Sequence, residues 1–94
     1  MDIRQALGAA LKSARRRRGL TQEDFGSVSS RTYLSTLERG LKSPTLDKIQ
    51  EISEVLGVHP LTLLSMAYMQ RDSKSASELL DAIAKELGPR KPGN

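Results

Sequence analysis

The side chains best suited to specific hydrogen bonding lie close together, between Ser30 and Arg39. If this segment is a helix, Leu34 and Leu37 share one face of it, and we expect both leucines to point into the protein. Four polar residues would then lie on or near the outer surface: Arg31, Thr32, Ser35 and Thr36. An arginine can donate to both acceptors of a guanine, and a threonine offers a hydroxyl and a methyl group. The segment could therefore contact base edges, although an ordinary solvated helix face would have the same polar composition.

The chain offers no comparable arrangement for catalysis. The serines and threonines of this segment have no histidine base nearby, and the one histidine of the chain, His59, cannot build a metal centre alone. The chain contains no cysteine, which excludes disulfides, thiolate metal sites and a cysteine nucleophile. We therefore expect a protein that is not an enzyme and that requires no metal or cofactor.

Charge is distributed unevenly along the 94 residues. Residues 1–42 carry nine lysines and arginines against four acidic residues, a net charge of +5, whereas residues 43–94 have a net charge of −1. A basic half can attract a polyanion to one face of a fold. The alternative interpretation is that these charges form an ordinary solvated surface. The chain has no apolar run near the ~20 residues of a membrane span and no secretory signal pattern at its start. We expect a cytoplasmic protein without membrane contact.

Apolar periodicity and capping residues predict six helices and no convincing strand. The predicted spans are Ile3 to about Arg18, a short helix from Thr21 that includes Val28, Arg31 to about Arg39, Thr45 to Leu56, Pro60 to about Met69, and a last helix capped by Ser75 that reaches about Leu87. The second and third helices are short, are joined by a tight turn, and follow a longer helix. This order is typical of a helix-turn-helix arrangement.

These elements predict two parts of the chain. Residues 1–69 are expected to form a five-helix domain that contains the helix-turn-helix. Residues 70–94 are expected to form an additional C-terminal helix and a short flexible tail, which begins at Gly88. We expect no separate small-molecule-sensing domain, and regulation would then depend on protein concentration, proteolysis or a protein partner.

In its helix-turn-helix segment the chain resembles the lambda-repressor and Cro-like regulators, also called the xenobiotic-response-element (XRE) family. The residues that carry the resemblance are Arg15, Gly19 to Phe25, Ser30 to Gly40, and a pattern of positions between Ser43 and Leu64. The resemblance implies an all-α, five-helix lambda-repressor-like fold that binds double-stranded DNA and regulates transcription. One departure lies between Phe25 and Tyr33, where the chain is two residues shorter than is usual in the family. The turn must then be tighter, or the second helix must end earlier.

The resemblance also implies roles for individual residues. It places base-reading residues at Arg31, Thr32 and Thr36, and it suggests a phosphate contact for Gln22. It pairs Arg15 with Glu38, which would tie the first helix to the third.

Other phosphate contacts are expected around the third helix. Amide groups at helix starts can bind phosphate oxygens, and cations beside the helix can add ionic contacts. The candidate side chains are Ser30, Tyr33, Arg39 and Lys42. Such contacts would set affinity and register rather than sequence preference.

One recognition helix reads only a few base pairs, so we expect a homodimer whose two helices enter successive major grooves ~34 Å apart. The candidate interface consists of apolar residues in the C-terminal half: Leu61, Leu64, Leu79, Leu80, Ile83 and Leu87. The alternative is a last helix that folds back on its own domain.

The expected function is a transcriptional regulator, in the first place a repressor, that acts at a palindromic operator. The alternative is an antitoxin-like interaction protein. Such a protein would neutralise a partner protein through its C-terminal half and would bind DNA secondarily.

Overall fold

The computed structural model describes residues 1–89, which form helices and connecting turns without a strand. The elements in order are α1 (Ile3–Arg17), a 3₁₀ helix (Gln22–Phe25), α2 (Arg31–Glu38), α3 (Leu46–Leu56), α4 (Pro60–Asp72) and α5 (Ala76–Leu87). The prediction of an all-helical fold with an additional C-terminal helix is confirmed. Residues 90–94 of the predicted tail lie outside the described residues.

Side-chain caps fix where the helices begin. Before α1, Asp2 Oδ1 accepts a hydrogen bond from the Gln5 amide at 2.8 Å, and Gln5 Oε1 accepts one from the Asp2 amide at 3.0 Å. Before α2, Ser30 Oγ accepts from the Tyr33 amide at 3.1 Å. Caps of this kind satisfy amides that have no partner within the helix. The start of α2 at Arg31 is therefore set by the local sequence.

The hydrophobic core lies between α1, α2, α3 and α4, with Phe25 of the 3₁₀ helix fully buried among them. Two residues that the apolar pattern assigned to buried faces are exposed: Leu46 is 82% exposed and Ile3 is 36% exposed. Each is the first residue of its helix and extends past the edge of the core. For these two positions the sequence prediction was wrong.

A glycine brings α1 against the end of α2. A Cβ atom on Gly8 would stand 2.5 Å from the carbonyl oxygen of Leu37 and 2.6 Å from that of Glu38. Real Cβ atoms do not approach carbonyl oxygens this closely, so the two helices can touch here only because position 8 has no side chain. This contact fixes the C-terminal end of α2 on the body of the domain.

The C-terminal part differs from its prediction in one boundary. Helix α4 continues to Asp72, about three residues beyond the predicted end, and stops where Ser73 adopts a left-handed conformation with φ of 53°. Helix α5 then packs against α4 and contains no buried residue. None of the helices within residues 1–89 has the length and apolar character that a membrane span requires.

Candidate nucleic-acid interface

Helix α2 separates an apolar face from a polar one. Leu34 and Leu37 are buried, as their spacing predicts. On the polar side, Arg31 and Thr32 are exposed, whereas Ser35 and Thr36 are half-buried. The first turn of α2 is therefore the part that projects furthest into solvent.

The hydroxyl group of Thr36 is already engaged. Its Oγ1 donates a hydrogen bond to the backbone carbonyl oxygen of Thr32 at 2.8 Å. In this rotamer Thr36 presents a methyl group and the acceptor lone pairs of its oxygen, but no free hydroxyl donor. Thr32 has no such contact, and its exposed side chain keeps both functions.

Arg31 is accompanied by an acidic residue. Its Nη1 lies 3.3 Å from Glu23 Oε1 of the 3₁₀ helix, and the two side chains are 72% and 74% exposed. An ion pair this exposed contributes little to stability, about 0–1 kcal/mol. It does, however, place a carboxylate on the same surface as the guanidinium group.

A shallow polar depression brings together five of the predicted site residues. Its lining consists of Gln22, Arg31, Thr32, Ser35 and Arg39. Three of the residues proposed to read bases thus lie beside two of the residues proposed to bind phosphate. Thr36 and the remaining phosphate candidates lie outside this lining.

The phosphate candidates at the two ends of α2 occupy different environments. Ser30 caps α2 through its Oγ, and Tyr33 is half-buried and packs against the core. Lys42 is exposed in the segment that follows α2, and Arg39 is exposed at the end of the helix. The structure therefore leaves the two cations accessible at the C-terminal end of α2, whereas the exposed Ser30 hydroxyl caps the helix and Tyr33 packs against the core.

Beneath the depression lies a nearly buried ion pair. Arg15 Nε is 2.6 Å from Glu38 Oε2, and Arg15 Nη2 donates to Glu38 Oε1 at 3.0 Å; the side chains are 11% and 4% exposed. The hydrogen bond to Glu38 raises the pKa of Arg15 above its ordinary value. Arg15 Nη1 also donates to the carbonyl oxygen of Leu20 at 3.0 Å. The pair therefore joins α1, the segment after it and the end of α2.

Gln22 belongs to the same network. Its Nε2 donates to Glu38 Oε1 at 3.2 Å, which orients the amide at the edge of the polar depression. An amide nitrogen carries two hydrogens, so one donor of Gln22 remains for a second acceptor.

The turn before α2 accounts for the two missing residues. The second predicted helix is only the 3₁₀ helix that ends at Phe25, so Val28 lies beyond it rather than on its inner face. The amides of Val28 and Ser29 both donate to the carbonyl oxygen of Phe25 at 2.9 Å. The helix thus ends earlier than predicted, which is one of the two outcomes that the shorter sequence allowed.

One contact of this turn was missed by sequence analysis. Lys48 Nζ, from α3, donates a hydrogen bond to the carbonyl oxygen of Val28. No local spacing signals a contact between residues so far apart in the chain. The contact bonds the turn before α2 to α3, so it bears on the orientation of α2.

The predicted dimerisation residues lie on α4 and α5. Leu61, Leu80 and Leu87 are 63%, 53% and 79% exposed. Ile83 is also exposed, whereas Leu64 and Leu79 are half-buried. An apolar groove between the two helices is lined in part by Leu61, Met69 and Leu80.

Within residues 1–89, no three histidine, aspartate or glutamate residues are grouped as metal ligands would be.

Comparison with known proteins agrees with this geometry. The helix-turn-helix family model matches residues 11–63. The chain is 40% identical over 67 residues to the uncharacterized HTH-type transcriptional regulator y4dJ of Sinorhizobium fredii, which covers 69% of this chain and 87% of that protein. It is 38% identical over 66 residues to the control protein C.BamHI of Bacillus amyloliquefaciens, which covers 67% of this chain and 82% of that protein.

Solved structures extend the likeness to the C-terminal helix. A crystal structure of the clp gene regulator ClgR from Corynebacterium glutamicum superposes with a TM-score of 0.73 at 30% identity, over 96% of this chain and 98% of that one. A second ClgR structure gives a TM-score of 0.69 at 33% identity, over 74% of this chain and 94% of that one. The chain belongs to the helix-turn-helix family of XRE-type DNA-binding transcriptional regulators.

Proposed function

We propose that this protein binds a palindromic operator in double-stranded DNA as a homodimer and represses transcription there. The supporting observation is the polar depression, in which Arg31, Thr32 and Ser35 lie beside Gln22 and Arg39. The depression sits on the exposed side of a capped helix that follows a tight turn. A single helix of this kind fits the major groove of B-DNA, where each base pair presents a distinct donor and acceptor pattern.

The proposed contacts divide by position along α2. The exposed first turn would enter the groove, with Arg31 donating to both acceptors of a guanine and Thr32 touching a neighbouring base edge. Ser35 and Thr36 would approach the bases less deeply, because both are half-buried.

Phosphate contacts would flank these base contacts. Arg39 and Lys42 are accessible at the end of α2, and Gln22 retains one free amide hydrogen. Ser30 lies at the start of α2, where the helix dipole favours an anion, and Tyr33 would contribute through its phenolic hydroxyl, because its amide already donates to Ser30 Oγ. These groups would hold the duplex in register without reading its sequence.

Dimerisation is proposed to involve α4 and α5. Helix α5 has twelve residues, none of them buried, and a helix of this length is marginal in water without tertiary packing. Its exposed Leu80, Ile83 and Leu87 continue the apolar surface that includes Leu61 of α4. A second copy packed on this surface would cover it and would place two recognition helices on one face of the duplex. Residues 1–69 would then bind DNA, and residues 70–94 would complete the dimer.

The relatives favour this function over the antitoxin-like alternative, because two of the matched proteins are described as regulators. Their source organisms are bacteria, in which a DNA-binding regulator works in the cytoplasm. We propose repression because a dimer bound across a promoter would exclude the polymerase.

Selection of bound duplexes from a random pool tests the proposal. We expect enriched inverted repeats whose half-sites are centred about one helical turn apart. Enriched sites without symmetry would contradict the homodimer, and the absence of salt-sensitive binding to any duplex would contradict DNA binding itself. An enriched repeat placed across a promoter should lower reporter expression when the protein is present.

Oligomeric state is tested separately. Sedimentation of Leu80→Asp should show a monomer at concentrations where the wild type is a dimer, because a carboxylate cannot be buried in an apolar interface without cost. Leu46→Asp is the matched control, since Leu46 is 82% exposed on α3 and lies outside the proposed interface. Equal sedimentation of Leu80→Asp and wild type would contradict an interface at this surface.

A further inference from the structure

The turn that precedes α2 is bonded to α3 by the side chain of Lys48. This residue lies in the first turn of α3, where its own amide donates to Thr45 Oγ1 at 3.1 Å. Its Nζ donates to the carbonyl oxygen of Val28 and lies 3.5 Å from Glu51 Oε2, one turn further along the helix. The ammonium group is therefore held between a backbone carbonyl of the turn and a carboxylate of its own helix.

We propose that Lys48 is a positioning residue that sets the tilt of α2 and, through it, the base selectivity of the protein. The inference rests on the proposed function, because it concerns how α2 meets the major groove. Helix α2 is anchored at its C-terminal end, where Glu38 bonds Arg15 of α1. The contact between Lys48 and Val28 anchors the opposite end, from which Arg31 projects.

The chain enters α2 through a short turn, and Lys48 bonds that turn to α3. Two fewer residues between Phe25 and Tyr33 leave only a 3₁₀ helix and a tight turn to direct the chain into α2. The carbonyl oxygen of Val28 accepts a charge-assisted hydrogen bond from Lys48, and such bonds are about twice as strong as those between neutral groups. The direction of the turn is thus defined relative to α3 rather than by the turn alone.

The environment of Lys48 distinguishes this role from a phosphate contact. The side chain is 25% exposed, and Glu51 offsets part of its charge. A residue that binds phosphate needs an accessible cationic group, as Lys42 and Arg39 have at the other end of α2. Lys48 points its donor into the domain instead.

Binding measurements on Lys48→Met test the proposal. Methionine keeps an unbranched side chain but removes the donor. We expect the ratio of operator affinity to non-specific affinity to fall about fivefold or more, the lower end of what one bidentate base contact contributes. The slope of affinity against salt should stay unchanged, because no phosphate contact is lost. Lys48→Arg, which keeps a cationic donor, should restore most of the ratio, and Lys74→Met controls for the loss of one positive charge.

Amide hydrogen exchange on the DNA-free protein provides an independent readout. In Lys48→Met, the amides of Val28 and Ser29 should exchange faster, while the core amides of α1 keep their protection. Loss of protection throughout α1 would mean that the variant is unfolded, and the milder Lys48→Gln would then be put through both measurements.

Each remaining outcome is decisive. A wild-type protein that binds its operator, with a Lys48→Met variant of equal affinity ratio and equal exchange, overturns the proposal and leaves the proposed function intact. A salt slope reduced by about 0.9 per subunit, with equal losses for all duplexes, would make Lys48 a phosphate contact and also overturn it. A wild-type protein without salt-sensitive duplex binding would remove the proposed function and, with it, any role of Lys48 in selectivity.

Discussion

Gly8 of α1 faces the carbonyl oxygen of Leu37 in α2 so closely that a Cβ atom would stand 2.5 Å from it. Because the obstructing atoms belong to the backbone of α2, no side-chain rotation can relieve the clash. The position of α2 relative to α1 therefore depends on the absence of a Cβ atom at position 8.

Gly8→Ala should destabilise the protein by about 1–3 kcal/mol, the usual cost of overpacking, even though alanine gains up to ~1 kcal/mol of helix propensity. Thermal unfolding followed by circular dichroism measures the change. Gly26→Ala is the matched control, because its φ of −58° suits any residue and its one close contact, 3.2 Å to Glu23 O, needs a shift of only a few tenths of an ångström. A Gly8→Ala protein that melts at or above the wild-type temperature would show that α1 and α2 can separate freely.

The ion pair between Arg15 and Glu38 supports a second prediction about stability. Glu38→Ala leaves an 11% exposed guanidinium group without its carboxylate, and breaking a buried pair in this way costs about 3–5 kcal/mol. For a domain of this size we expect the Tm to fall by more than ~10 °C. Glu54→Ala, at an exposed position of α3, should melt like the wild type. An unaltered melt of Glu38→Ala would show that the pair is not effectively buried.

The starts of α1 and α2 could be predicted because the residues that determine them lie close by in the sequence. Asp2 and Ser30 cap amides within three residues of themselves, so sequence spacing reveals them. The burial of Leu34 and Leu37 follows from their spacing on one helix. The same logic failed for Leu46, because periodicity assigns a face but not the distance to the edge of the core.

The contacts that orient α2 were less accessible to sequence reasoning. Arg15 and Glu38 lie 23 residues apart, and only the family resemblance suggested their pairing. The bond between Lys48 and Val28 spans 20 residues and had no signal in the sequence. Both depend on how separate helices pack, which local propensity does not encode. The sequence showed that the turn before α2 is short, but only the structure shows that the preceding 3₁₀ helix ends at Phe25.

Arg31 is expected to determine the preference at one base pair. Arg31→Ala should weaken operator binding by ~1–3 kcal/mol and relax selection at that position, because a bidentate contact to guanine is lost. Binding to a panel of single-substitution operators measures the effect. Arg31→Lys keeps the charge but loses the planar donor fork, so it should relax selection similarly while keeping non-specific affinity. Equal weakening across all sequences would make Arg31 a phosphate contact only.

Glu23 is expected to restrain Arg31 and to repel the phosphates of the DNA backbone. Glu23→Gln removes the carboxylate that lies 3.3 Å from Arg31, together with its repulsion of the DNA backbone. We expect non-specific affinity to rise about two- to fivefold and operator selectivity to fall, with a change in stability below ~1 kcal/mol. Titrations at low salt, with Glu54→Gln as the control, measure both effects. Weaker binding to every duplex would contradict this role.

Arg39 is expected to supply affinity without selectivity, because it is exposed at the end of α2, away from the projecting first turn. Arg39→Ala should lower affinity for any duplex and reduce the slope of log affinity against log salt by about 0.9 for each bound subunit, since one phosphate contact per subunit is lost. Arg71→Ala on α4 removes the same charge at a distance from α2 and should leave the slope unchanged. A salt slope of Arg39→Ala equal to that of the wild type would exclude a phosphate contact by Arg39. A loss confined to the operator would instead assign this side chain to base recognition, which its place in the polar depression beside Ser35 also permits.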